Sequence, residues 1–284
     1  AAVVAVGRWQ GVRALAGLAV SGLILVLYVV PALLRDESAV LVALTGTVAI
    51  AYLALYLAHG FSHATTVALA GTLASLAIIT ALALVVAEVA QLSGLANEEA
   101  QALRVTASAL DLRGLLVAGI VVGALGVLDD VTVTQVSAVA ALRRANPSLE
   151  RVKLYREAMR VGKDHVASTV NTLVLAYAGA TLPLVLLFSQ GAKSSGRIIT
   201  SEIVAGEVVR MLVGSIGLIL AVPITTALAA AVLTADDDVH AGHDHAHLDD
   251  ETLDRVRGPI ESDSVDGGAH EPDWDDFGPR ADPI

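Results

Sequence analysis

From Ser38 to Ala58 the chain runs without one charged side chain, and comparable apolar stretches recur between residues 11 and 233. A helix needs roughly 20 apolar residues to cross the hydrocarbon of a bilayer, so this recurrence, more than any single motif, limits what the sequence can fold into. The pattern predicts helices near 11–34, 38–58, 64–90, 112–142, 164–190 and 203–233, about six spans in all. Lipid gives an open strand edge no hydrogen-bond partner, which leaves helices or a closed barrel. Alanine, leucine and valine dominate while only 4% of residues are aromatic, and this favours helices. With 55% hydrophobic residues and a mean hydropathy of +0.68, the expected fold is all-α, a polytopic membrane helix bundle whose main partner is the lipid bilayer.

The net charge of −11 is unevenly spread: residues 235–284 hold 16 acidic and 3 basic residues, which leaves the first 234 residues at +2. From Ala235 the apolar pattern stops, and the segment cannot bury enough surface to offset its ordering entropy. It is expected to be a disordered, acidic cytoplasmic tail distinct from the transmembrane domain of residues 1–234. Seven basic residues crowd one short loop: Arg143, Arg144, Arg151, Lys153, Arg156, Arg160 and Lys163. The positive-inside rule makes that loop cytoplasmic. Counting outward places Arg8, Arg13 and the His59–His63 turn inside, Asn97, Glu98 and Glu99 outside, and both ends of the chain in the cytoplasm. Asn146 and Pro147 read as the start of a short amphipathic helix carrying Leu149, Val152, Tyr155 and Met159, its basic face against anionic headgroups. The chain opens on Ala1, and residues 1–7 read as the end of an earlier apolar segment; a cleaved leader leaves the same trace.

Asp129 and Asp130 are the most informative residues. The fourth predicted helix continues past them to Leu142, so they lie about 20 Å from its basic end at 1.5 Å per residue. An ionisable group at membrane depth costs roughly 2.5–3.5 kcal/mol and faces protein or water. Two adjacent carboxylates also repel, which suits groups that exchange a proton. One reading is a proton relay of Asp129, Asp130 and His165; the other ends the span near Leu128, with both acids at an interface and residues 131–142 lying along it. Asp130, Thr134 and Ser137 share a helix face, with Gln135 beside it, and Ser168, Asn171 and Thr172 form a stripe on the next helix. If those helices start at Arg143 and Lys163, Asn171 lies level with Thr134–Ser137 and Tyr177 near the acids, making a polar seam. Ordinary interhelical hydrogen bonding uses the same residues. Gly119, Gly123 and Gly126 fit the small-residue spacing of close helix packing, and Pro183 and Pro223 fall inside the fifth and sixth predicted helices.

His59 and His63 have i, i+4 spacing, but Gly60 and the lack of a nearby carboxylate argue against a metal there. In the tail, His240, His243, His245 and His247 stand among aspartates, a composition that can hold zinc or nickel loosely or merely solvate. With no cysteine, no phosphate-binding loop and no nucleophile elbow, neither an enzyme nor a cofactor is expected, and nothing points to nucleic acid. The remaining readings are a permease or transport component of unknown substrate, a non-transporting scaffold and a metal-handling membrane protein working through the histidine tail, each in company with a second copy or a partner membrane protein.

The run from Gly114 to Ser137 with Asp129-Asp130, followed by Val161 to Pro183 with Asp164-His165 and Asn171, resembles the YibE/F-like family of bacterial membrane proteins. The likeness extends to His59-Gly60, Thr66, Gly71-Thr72, Gly214–Gly217 and Pro223–Thr226, nearly all of residues 8–233. The resemblance implies a multi-pass protein of the bacterial cytoplasmic membrane, supposed to be transport-related, whose members usually begin with a further spanning helix and an extracytoplasmic domain. The Arg35–Glu37 turn departs from the family pattern. A more distant resemblance, to resistance-nodulation-division exporters and the SecD/SecF proteins, implies proton flow through an acidic pair on a fourth helix.

Overall fold

The computed structural model of the chain describes residues 2–35, 37–95, 98–107, 110–183, 186 and 202–233. All of them fall in one compact unit, Ala1–Gly242. The acidic tail, with His240, His243, His245 and His247, lies outside the described residues. Among the described residues every regular element is helical: α1 (Ala2–Ile24), a π-helical turn (Leu25–Val29), α2 (Val30–Leu34), α3 (Ala39–His59), α4 (His63–Val89), α5 (Glu98–Thr106), α6 (Leu112–Ala145), α7 (Arg151–Ala180) and α8 (Glu202–Val232).

Five stretches are long and apolar enough to cross a membrane: Gly11–Leu34, Ala39–His59, His63–Val89, Leu112–Ala145 and Glu202–Val232. The fifth expected span, 164–190, falls on α7, which misses that criterion because its first half is basic and Lys163, Asp164 and His165 follow directly. The separate surface helix expected before residue 164 is not formed. Asn146 and Pro147 make a turn instead, in which Leu149 N donates to Asn146 O at 3.1 Å and Ser148 Oγ to Asn146 Oδ1 at 2.8 Å. From Arg151 one helix runs unbroken through Lys163, because Leu154, Ala158 and Gly162, spaced by four, keep a single buried face. It closes at Ala180, so Pro183 lies beyond α7, whereas Pro223 does sit within α8.

Local chemistry explains the irregular points. Pro31 has no N–H to donate and its ring crowds the preceding turn; the chain answers with the π-turn, in which Val30 N reaches back to Leu25 O. Gly60 takes φ +78° and ends α3, and Ser62 then caps α4 by accepting from Thr65 N at 3.0 Å. His59 and His63 therefore belong to two different helices.

Helices α4, α6 and α8 pack on one another at the centre, with α3 joining α1 to α6 and α7 lying against α6 and α8. Leu76 and Ile79 of α4, Val117, Val121 and Leu128 of α6 and Val213 of α8 form one core cluster. A second joins Val67 of α4, Val139 of α6, Leu154 and Ala158 of α7 and Ala229 of α8. Close approach is made at Gly71, where a Cβ would strike Thr225, at Gly217, where it would strike Ile79, and at Gly162, where it would meet Val222 and Gln135. Gly119 and Gly126, the expected packing glycines, have nothing within 4 Å of a Cβ position, and Gly123 meets only the Tyr177 hydroxyl at 3.6 Å.

The two ends of the bundle are chemically distinct. At one end Arg13 Nε donates to Leu57 O at 2.8 Å and Arg143 Nη1 to Leu149 O at 2.6 Å, cations set against the last carbonyls of a helix and of a turn. At the other, Glu202 at the start of α8 accepts from Ser93 N at 2.6 Å and Gly94 N at 2.9 Å. Arg113 there pairs with Glu88 and donates to Leu92 O.

Candidate functional site

Helix α6 is 34 residues long, and Asp129 lies about 25 Å from either end at 1.5 Å per residue. The helix does not break after Leu128. Val131, Thr132, Gln135, Val136, Val139 and Ala140 are all buried among neighbouring helices, so residues 131–142 do not peel away along an interface.

Successive residues of a helix point about 100° apart, and the two acids accordingly face different partners. Asp129 turns toward α4, where the Thr72 hydroxyl interacts with its carboxyl. That hydroxyl also meets Thr132 Oγ1 at 2.8 Å. The Oδ1 atom of Asp129 is enclosed and has no hydrogen-bond partner among the described residues, the most costly state for a charged carboxylate. Asp130 turns toward α7, and its Oδ2 stands 3.9 Å from His165 Nε2. That separation is too long for a direct hydrogen bond, and the imidazole nitrogen is itself enclosed with no hydrogen-bond partner among the described residues. The Asp130 side chain is 72% exposed, against 33% for His165.

One turn further, Gln135 Nε2 donates to Ala158 O of α7 at 2.9 Å and to Thr226 Oγ1 of α8 at 2.7 Å. Gln135 is thus a buried tie between three helices and not part of an open lining. Thr134 is exposed and its hydroxyl bonds its own helix at Asp130 O, 2.7 Å; Ser137 is half-buried.

The register between α6 and α7 differs from the expected one. With α7 beginning at Arg151, His165 lies level with Asp130 and the Tyr177 hydroxyl reaches Gly123, whereas a start at Lys163 had put Asn171 beside Thr134–Ser137 and Tyr177 beside the acids. Between the two helices the seam is apolar, built from Val127, Met159, Val166 and Val170 with Val131 behind them. Ser168, Asn171 and Thr172 are exposed on the outer side of α7 and do not line that seam.

Charged residues of α8 also belong here. Arg210 lies 3.6 Å from Glu207, both about one-third exposed, and its Nε is enclosed with no hydrogen-bond partner among the described residues. The signal is present in the sequence, since oppositely charged residues three apart inside an apolar helix are an expensive choice in lipid; only the fold shows that Arg210 lines one small cavity with Tyr177 and Gly123.

A multi-pass helical bundle with titratable groups at the middle of its central helix defines the class: an integral membrane protein whose distinctive chemistry is acidic and lies deep within the bundle. Within that class, residues 1–235 match the YibE/F-like protein family, and the chain belongs to it. No curated protein and no solved structure matches the chain.

Proposed function

We propose that this protein is a permease or transport component of the bacterial cytoplasmic membrane in which Asp129, Asp130 and His165 relay protons. The supporting observation is the mid-helix arrangement, with the Asp129 Oδ1 enclosed and without a hydrogen-bond partner among the described residues on one side of α6 and an acid 3.9 Å from an imidazole on the other. Unsatisfied acceptors and donors at that depth are offset by taking up or sharing a proton. In this reading the basic turn and both ends of the described bundle are cytoplasmic, no covalent catalysis is assigned, and the substrate is whatever solute the proton flux drives. Liposomes containing the protein and a trapped pH-sensitive dye test it under an imposed potassium diffusion potential. Wild type is expected to pass protons above the rate of empty liposomes, and Asp129→Asn to lower that excess at least tenfold. Equal rates in the two would remove Asp129 from the relay.

A second reading, assembly with another copy or a partner membrane protein, is favoured by one observation of its own. Gly119, Gly126, Asp130 and Thr134 stand exposed along one face of α6, and polar groups at membrane depth are covered by protein far more often than by lipid. Single-cysteine cross-linking at Gly126→Cys in native membranes separates the readings, since only an assembly gives a dimer band.

A further inference from the structure

Two cavities are stacked along the half of α6 that lies away from the basic turn. The larger, about 150 Å³, opens between the first turns of α6 and α8 and is lined by Leu112, Leu116, Glu202, Gly206, Glu207 and Arg210. The smaller, about 10 Å³, or room for about one water molecule, lies deeper and is lined by Gly123, Val127, Leu128, Tyr177, Arg210 and Leu218, among others. Arg210 is the one residue common to both. Its Nε is enclosed and has no partner among the described residues, so the guanidinium is held in the wall between the two cavities. Glu207, 3.6 Å away, balances the guanidinium charge, which removes the barrier an isolated arginine raises against cations.

Below Arg210 the small cavity ends on Val127, Leu128 and Leu218, the last two only 1% exposed. Those side chains form a dry plug immediately before Asp129 and Asp130 in α6. We infer that the two cavities are the route by which water and hydronium approach the acid pair from the side opposite the basic turn, with Arg210, Glu207 and Tyr177 as the passage between vestibule and inner chamber and the Val127–Leu128–Leu218 plug as the barrier that parts before a proton passes on to the acids. The inference deepens the proton-relay reading and rests on it, since a route to the acids has a use only if they exchange protons.

The test exploits a chain without cysteine. Gly206, in the larger cavity, has nothing within 4 Å of a Cβ position, and Gly123, in the smaller, has only Tyr177 Oη at 3.6 Å, so both accept a cysteine without repacking. Gly119 is one turn nearer the vestibule end of α6 than Gly123, is equally open to a Cβ, and lines neither cavity. Each single-cysteine variant, in sealed vesicles of known orientation and in chloride-free buffer, is exposed from one side at a time to silver ion, a membrane-impermeant thiol reagent about the size of a water molecule. The expected order of modification from the side opposite the basic turn is Gly206→Cys fastest, then Gly123→Cys, with Gly119→Cys at least tenfold slower although it lies less deep. Modification of Gly123→Cys no faster than Gly119→Cys, or only from the basic-turn side, would overturn the route. If Asp129-dependent proton flux persists beside that result, the relay stands and the route alone is lost.

Discussion

Helix α6 has two sides that use the same residue types to opposite ends. Toward α4 and α8, Thr132 and Gln135 are enclosed, and Thr132 pairs with Thr72 across a helix boundary as Gln135 pairs with Thr226. The partner helices lend their own glycines, Gly71 and Gly217, so that backbones and side chains interlock. On the side running past α7, Gly119, Gly126, Asp130 and Thr134 stand open. A glycine therefore closes a seam only when the facing residue is large enough to enter the notch, as Thr225 and Ile79 are. Where nothing enters, the same glycine leaves a groove.

Substitutions sharpen this contrast in order of size. Gly217→Leu forces a large side chain into Ile79 at the α4–α8 seam and is expected to cost about 3 kcal/mol or more, read as a lowered melting temperature or loss of monodisperse protein in detergent. Gln135→Leu strands the Ala158 carbonyl and the Thr226 hydroxyl; a loss of about 1–2 kcal/mol is expected in a reversible unfolding titration. Gly126→Ala meets nothing, so the ordinary preference of a helix for alanine should raise stability by up to about 1 kcal/mol. A fall at Gly126 comparable with that at Gly217 would break the contrast, since it would mean that a second chain fills the groove.

Much of this was legible in the residues. The helices at 38–58, 64–90, 112–142 and 203–233 follow from apolar length alone, and their observed bounds differ from the expected ones by at most three residues. The acids were conspicuous for the same reason, being charges in a run that otherwise avoids them. What composition hid was continuity and register. A basic amphipathic stretch followed by an apolar one reads as two elements with a boundary at Lys163, yet the spacing of Leu154, Ala158 and Gly162 carries one buried face across it. Misplacing that start shifts every pairing along α6 and α7, which is why Tyr177 was expected beside the acids, where His165 in fact stands. The divergence of Asp129 from Asp130 could have been drawn from helical geometry, but which neighbours they meet could not. The nine-residue α5 escaped because its sequence is polar and short, and the paired cavities around Arg210 are products of helix packing that no local pattern encodes.

That α7 is one unbroken rod has a mechanical corollary. His165 sits about 21 Å along it from Arg151 at 1.5 Å per residue, and between them Gly162 packs so closely on Val222 and Gln135 that a Cβ would strike both. Were such a rod to tilt, the close contact at Gly162 would set its pivot near the imidazole. A sideways pull on the arginine-rich arm, whether from lipid charge or a docked protein, swings the ring through a much smaller arc, and small arcs are what a 3.9 Å gap requires to open or close.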